Sequence, residues 1–323
     1  MGAAVQVRGL VKRYGGRAVL DGVDLDVAAG SVCAVLGPNG AGKTTAVRIM
    51  TTLLRPDAGT VEVAGVDVVA RPREVRRRIG TVGQQPTVDE LLGARENLVL
   101  FGRLHHLDRA TARRRAGELL EQVGLPETGH QPVRQFSGGM RRRLDIAASL
   151  VLAPEVLFLD EPTTGLDPAG RRDVWDAVRD LVAGGTTVLL TTQYLEEAER
   201  LADDVCVLDA GRVAARGTPG ELTAAIGGDR LELVVTDPAR AREAAELAGR
   251  VAAGGADPGG GRGGVRVTVP VARRDGVVGE VVRALDEAGI GVADLVLRPT
   301  TLDEAYLRIT GGPAGADRAA VPA

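Results

Sequence analysis

Residues 37–45 read Gly37-Pro38-Asn39-Gly40-Ala41-Gly42-Lys43-Thr44-Thr45, and the reading of this stretch decides the fold. It is a G-x-x-x-x-G-K-[ST] phosphate loop followed by a second threonine. Upstream, Ser31-Val32-Cys33-Ala34-Val35-Leu36 is apolar and β-prone, which predicts a strand entering the loop. Downstream, Ala46-Val47-Arg48-Ile49-Met50 predicts a helix leaving it. Glycines let successive backbone N–H groups turn inward around phosphate oxygens, and the helix start adds its positive dipole end. Lys43 is placed to reach the β- and γ-phosphates, and Thr44 offers a hydroxyl to Mg²⁺. As plain structure the same residues are a Gly-rich turn between strand and helix. The flanks favour the phosphate loop, so the stretch predicts a nucleoside triphosphate as ligand.

The chain of 323 residues predicts about two domains. Its formal charge of −3 and pI near 5.8 give no basic surface for nucleic acid and no polybasic membrane anchor. Lys12 and Lys43 are the only lysines among many arginines. A chain that nearly always chooses Arg has kept Lys in the phosphate loop, where a guanidinium differs in size and donor geometry. Cys33 and Cys206 lie in separate apolar runs and read as reduced core residues. The N-terminus lacks a basic-then-apolar signal pattern, and no apolar run approaches ~20 residues. The sequence thus predicts a soluble, intracellular protein, with any membrane span supplied by another chain.

Alternating or apolar runs predict strands at Val5–Leu10, Leu25–Val27 and from Val61, and buried strands at Val156–Leu159, Thr187–Leu190 and Val205–Leu208. Between residues 90 and 150 the texture turns helical, with Ala110, Ala116, Leu119, Leu120 and Val123 in phase and Gly124 as a stop. The runs Arg76–Arg78 and Arg113–Arg115 read as solvated faces. Beyond residue 226 come a strand to Val235, a helix opened by Asp237-Pro238, and a Gly-rich loop over Gly254–Gly264. A strand from Val265, a helix over 277–288, an extended segment Ile290–Leu297 and a helix capped by Thr301 follow. The order β-α-β-β-α-β suggests a small split-βαβ domain, and the tail from Gly311 reads as disordered.

Chemistry concentrates at two further places. Val156-Leu157-Phe158-Leu159 ends in Asp160-Glu161. A carboxylate at the C-terminal end of a buried strand beside a phosphate loop is where Mg²⁺ needs an acidic partner, which assigns Asp160. Glu161 is then placed to hold or deprotonate an attacking water. Ser137-Gly138-Gly139-Met140-Arg141 opens an amphipathic helix, with Ser137 as N-cap and two glycines leaving N–H groups open to an anion. One nucleotide needs both glycine-rich helix starts if it is sandwiched between two chains, each supplying half. Taken alone, the second start is a capped helix.

Together these residues resemble ATP-binding cassette ATPases, and within them the ATP-binding subunits of daunorubicin/doxorubicin-resistance drug exporters. The resemblance covers nearly the whole chain. Gly37–Thr45 is similar to the Walker A loop, Val156–Glu161 to Walker B with its catalytic Glu161, and Phe136–Met140 to the cassette signature with Ser137, Gly138 and Gly139. It implies that Gln84 contacts Mg²⁺ and the water, that Asp167 in Thr164–Asp167 is the D-loop aspartate, and that Tyr14 stacks on adenine. The metal set is then Thr44, Gln84 and Asp160. The switch position is Gln193 where most cassettes have His; Gln is a donor that never becomes a cation. The signature carries Phe136 and Met140, variants familiar in the exporter subgroup, and Arg298–Leu307 resembles that subgroup's small extension.

The implied fold is α/β: a P-loop NTPase cassette with a mixed sheet core, an antiparallel β subdomain and a helical subdomain over about 86–152. The cassette fills residues 1–225, a small ferredoxin-like α+β domain 226–311, and the tail 312–323. The implied protein is an ATPase using ATP and Mg²⁺, a homodimer that drives a separate integral membrane permease. It sits peripherally on the cytoplasmic face of the membrane, binds no nucleic acid, and exports a drug or hydrophobic small molecule. Lys43 and Asp160 lie too close in sequence for the long coiled coil of DNA-repair cassettes, and a single phosphate loop excludes a two-cassette translation factor. An ATP-dependent regulator with little hydrolysis is the alternative that Gln193 leaves open.

Overall fold

The computed structural model describes residues 2–128, 131–225, 229–252, 257–261, 264–271, 275–298 and 301–311. The chain divides into two compact units, Met1–Pro219 and Gly220–Ala323.

In the first unit, β1 (Ala3–Tyr14) and β2 (Arg17–Ala28) form a hairpin across Gly15-Gly16, and β4 (Ala58–Val63) and β5 (Val66–Asp67) extend it into an antiparallel sheet ordered β2-β1-β4-β5. The second sheet runs β10-β9-β3-β8-β7-β6, built from β3 (Val32–Leu36), β6 (Ile79–Val82), β7 (Val156–Asp160), β8 (Thr187–Thr192), β9 (Asp204–Asp209) and β10 (Arg212–Gly217). Its strands are parallel except β10, which pairs antiparallel with β9. Every residue of β3, β7 and β8 is buried. That explains why these strands read as unbroken apolar runs: a parallel strand covered on both faces has no solvent side to alternate toward.

Helix α1 (Lys43–Met50) joins the two sheets. Its Ala46, Val47, Ile49 and Met50 share one apolar cluster with Val5, Val7 and Val61 of the antiparallel sheet and with Cys33, Val35 and Phe158 of the central one. Phe158 is fully buried, and truncating such a side chain to Ala costs about 3–5 kcal/mol. The phosphate-loop helix therefore has a fixed seat. Helix α2 (Pro72–Arg78) precedes β6. Helices α3 (Ala94–Leu104), α4 (Arg109–Gln122) and α5 (Gly138–Ser149) intervene between β6 and β7, within the segment expected to be helical. Ala112, Ala116, Leu119 and Leu120 of α4 are buried, while Arg114 meets Glu118 in solvent. Helices α6 (Pro168–Ala183) and α7 (Leu195–Leu201) flank β8 in sequence, and α8 (Pro219–Ala224) marks the passage to the second unit.

Cys33 and Cys206 are free and buried. Burial pushes the Cys33 thiol well up and that of Cys206 up to about 12, so neither forms the reactive thiolate near neutral pH.

The second unit contains β11 (Asp229–Val235), α9 (Ala241–Ala252), β12 (Asp257–Gly261), β13 (Gly264–Val271), α10 (Val277–Glu287), β14 (Val292–Arg298) and α11 (Leu302–Ile309). Its antiparallel sheet is ordered β12-β13-β11-β14. Leu231, Leu233 and Val235 alternate into a core with Val267, Val269 and the alanines of α9. One expectation is corrected here. Part of the Gly254–Gly264 segment, read as a loop, is the edge strand β12; its pairing to β13 uses backbone groups, which glycine supplies as well as any residue. The expected disorder of the tail falls on residues 312–323, outside the described residues.

Candidate functional site

The phosphate loop leaves β3 at the middle of the central sheet, between β8 and β9. Gly37 N–H donates to the Thr192 carbonyl at 3.3 Å, tying the loop's start to the end of β8. Gly42, which caps α1, has φ 108°; a Cβ there would lie 2.7 Å from Leu20 Cδ2 and 2.8 Å from the Val19 carbonyl. Only glycine fits that turn, in conformation and in space. The loop borders a cleft of about 440 Å³ lined by Val19, Pro38, Asn39, Gly40, Gly42, Lys43, Thr44, Thr45, Gln84, Glu161, Thr164 and Gln193. Ala41 is buried behind it.

Lys43 is the first residue of α1 and is only 4% exposed. Its ammonium donates to the Gly37 carbonyl at 2.8 Å and the Pro38 carbonyl at 3.2 Å, and lies 3.6 Å from Glu161 Oε1. A buried ammonium is tolerable only with such partners. Thr44 Oγ1 donates to Asp160, 3.3 Å from Oδ1 and 3.2 Å from Oδ2, while Thr191 Oγ1 donates to Oδ1 at 2.5 Å. The Thr44 hydroxyl and Asp160 carboxylate, with Gln84 on the same cleft, are the hard oxygen donors that suit Mg²⁺.

Glu161 has φ 50°, in the left-handed region that non-glycine residues enter at a cost of about 1–3 kcal/mol. Its N–H donates to the Thr191 carbonyl at 3.1 Å and to Thr191 Oγ1 at 3.2 Å. Its carbonyl accepts from Thr164 N–H at 3.3 Å and from Arg142 Nη2 at 3.3 Å. The strained backbone is thus held on both sides, by Thr191 and by Arg142. This turn aims the Glu161 carboxylate at Lys43.

Sequence reasoning missed Arg142. It is buried on α5 and its guanidinium donates to the carbonyls of Gly83, Asp160, Glu161 and Pro162. Burial lowers its pKa from the usual Arg value, offset by the charges of Asp145, Glu197 and Asp160. Helical phase could not single it out: Arg142 lies three or four positions from buried Gly139, Asp145 and Ile146, but Arg143 is four from Gly139 and three from Ile146, and Arg141 is four from Asp145. Glu197 was missed as well. It is wholly buried and accepts from Trp175 Nε1 at 3.2 Å; burial raises its carboxyl above the usual range, against the pull of Thr192, Thr163, Trp175 and Arg142.

The remaining residues lie around this centre. Ser137 caps α5, its Oγ accepting from Met140 N–H at 3.2 Å. A Cβ on Gly139 would come within 2.8 Å of Gly170 Cα, so these glycines let α5 cross α6. Gly138 borders a smaller cleft with Gln84, Glu161 and Leu166. Asp167 caps α6, accepting from Gly170 N–H at 2.8 Å. Tyr14, at the end of β1, is 48% exposed, with Lys12 Nζ 5.8 Å from its ring centroid; Val19, and not Tyr14, lines the larger cleft. Gln193 follows β8 directly and lines that cleft beside Glu161.

Residues 20–164 match the ABC transporter family. The chain is 58% identical over 315 residues to the daunorubicin resistance ATP-binding protein DrrA3 of Streptomyces coeruleorubidus, covering 95% of this chain and 96% of that one. Among solved structures it is similar to cbiO1 of Clostridium perfringens, described as part of the ABC transporter complex cbiONQ, at 28% identity and a TM-score of 0.65, covering 69% of this chain and 92% of the other. It is also similar to an ATP-binding cassette in a dimeric post-hydrolysis state bound to ADP and Pi, at 27% identity and a TM-score of 0.59, covering 66% of this chain and 98% of the other.

Proposed function

The chain belongs to the ATP-binding cassette transporter family, and on that premise we propose that it powers export of a daunorubicin-like drug through a separate membrane permease. ATP hydrolysis is the activity of this family, and the cargo reading rests on the drug-resistance relative at 58% identity. One observation carries the site assignment: the phosphate-loop ammonium and the Glu161 carboxylate lie 3.6 Å apart across the cleft, with Thr44 and Asp160 in contact beside them.

Phosphate binding draws Lys43 from the Gly37 and Pro38 carbonyls to the β- and γ-phosphate oxygens. Thr44 and Asp160 would hold Mg²⁺, with Gln84 facing the same space. Bound there, the ion would neutralise charge on the phosphates. Glu161 accepts a proton from the water attacking the γ-phosphorus as the bond to the β-phosphate oxygen breaks. Gln193 donates to a γ-phosphate oxygen as a neutral amide. Ser137, Gly138 and Gly139 act on the nucleotide of a second copy of the chain, so ATP closes a homodimer and hydrolysis releases it. Among the described residues no helix is long and apolar enough to cross a membrane. As a cassette subunit of its family, the chain works peripherally, on the cytoplasmic face, against a permease that supplies the spans.

The test is transport. Inside-out vesicles holding this chain with its permease partner should accumulate daunorubicin when given MgATP, and should not with Lys43→Ala. Vigorous ATP hydrolysis without daunorubicin accumulation would remove the cargo assignment while leaving the motor in place.

A further inference from the structure

We propose that Arg142 and Asp145 are positioning residues that tie the backbone carrying Glu161 to the Gln84 loop, so that the carboxylate and the loop take up their working places together. The proposal rests on the assignment of Glu161 as the base.

The two residues sit one turn apart on α5, and both are buried, at 8% and 3% exposure. Arg142 Nη1 donates to the Gly83 carbonyl, just before Gln84, at 2.5 Å. Its Nη2 donates to the carbonyls of Asp160 at 3.1 Å and Glu161 at 3.3 Å, and its Nε to that of Pro162 at 2.8 Å. Asp145 Oδ1 accepts from Thr87 N–H at 2.8 Å and from Thr87 Oγ1 at 2.9 Å. The loop bearing Gln84 is thus fastened near both ends, at Gly83 and Thr87, to one face of α5. The same face grips three consecutive carbonyls at the end of β7.

The grip falls where the backbone most needs it. Glu161 occupies the left-handed region, and Thr191 holds its N–H side. Arg142 holds the carbonyl side. A planar guanidinium can bridge two separate chain segments through donors in a fixed fork, which the compact ammonium of lysine cannot do at the same reach. Neither residue lines the larger cleft; both border the smaller one beside Gln84 and Glu161. Their hydrogen bonds run to the carbonyls of Gly83, Asp160, Glu161 and Pro162 and to the N–H and hydroxyl of Thr87, so they act through the segments they hold. A displacement of about 1 Å in a reacting group is enough to lower a rate on the order of 10²-fold.

The experiment measures kcat, KM and nucleotide affinity for full-length Arg142→Gln and Arg142→Lys, each in the parent and in Glu161→Gln. Arg142→Gln should lower kcat by roughly 10²-fold with nucleotide affinity within about threefold of the parent. In Glu161→Gln the same change should lower the residual rate at most about tenfold, because one of the two groups it positions is already disabled. Arg142→Lys, the milder variant should Gln unfold, should show the same pattern at smaller amplitude. It should also raise amide hydrogen exchange at 83–87 and 160–164 together, with α1 unchanged. Equal losses of kcat in both backgrounds, or affinity falling in step with kcat, would overturn the positioning role. If Glu161→Gln alone keeps the parental kcat, the base assignment falls, and the proposal with it.

Discussion

Two helices of this protein begin with glycine-rich turns, and their starts are built for different partners. Helix α1 begins at Gly42, in a left-handed conformation with no side-chain cap, and its first residue is a buried lysine facing a cleft. Its leading N–H groups and its charge remain available to phosphate. Helix α5 begins at Ser137, whose own hydroxyl satisfies one leading N–H, and its second residue, Gly139, is pressed against Gly170 of α6. On the proposed function, the first start is the anion site of its own chain. The second has Arg141 as its fourth residue and no lysine at its start, and on the proposed function it completes a site when another chain brings the phosphate to it.

The largest expected effect breaks the first half of that contrast. Lys43→Ala should abolish measurable hydrolysis, about 10³-fold or more below the parent, because among the described residues no other ammonium lines the cleft to meet the phosphates. It should also lower stability by about 1–3 kcal/mol, since the Gly37 and Pro38 carbonyls lose their donor. Phosphate release and chemical denaturation measure the two. Hydrolysis at the parental rate would remove the phosphate-loop assignment.

A middle-sized effect separates packing from chemistry at α5. Gly139→Ala places a Cβ 2.8 Å from Gly170 Cα and should destabilise by about 1–3 kcal/mol through overpacking, seen as a lower Tm. The affinity of the isolated chain for nucleotide should stay unchanged. If affinity falls while Tm holds, this glycine serves the nucleotide of its own chain and the contrast is wrong.

The smallest effect concerns Gln193, beside Glu161 in the cleft. Gln193→Ala should lower turnover, whereas Gln193→His should retain or raise it. The His variant should acquire a pH dependence between about 6 and 7, where an ordinary imidazole titrates and an amide does not. A rate profile across that range in both proteins decides it; an unchanged Ala variant would make residue 193 a bystander.

The same contrast explains what could be read in the chain before folding. The phosphate loop was legible because its chemistry is local: nine consecutive residues fix the turn, the lysine and the hydroxyl. Asp160 and Glu161 were legible because a buried parallel strand reads as an unbroken apolar run that ends where the sheet's ligands bind. Arg142 was not, since it stands in a row of three arginines. Its role comes from carbonyls 18 to 59 positions away, at Asp160, Glu161, Pro162 and Gly83. The strand β12 was hidden because backbone pairing leaves no side-chain pattern in Asp257-Pro258-Gly259-Gly260-Gly261. Long-range polar contacts and glycine strands leave little local signature.

The claim that the two helix starts meet on one nucleotide is tested most directly by the mass of Glu161→Gln in solution. With hydrolysis slowed by about 10²–10⁴-fold, saturating MgATP should hold two chains together. Light scattering should then give twice the 33.5 kDa of one chain, falling to one chain when ATP is replaced by ADP. A chain that has bound ATP and lost hydrolysis, yet stays at 33.5 kDa, would contradict the two-chain site.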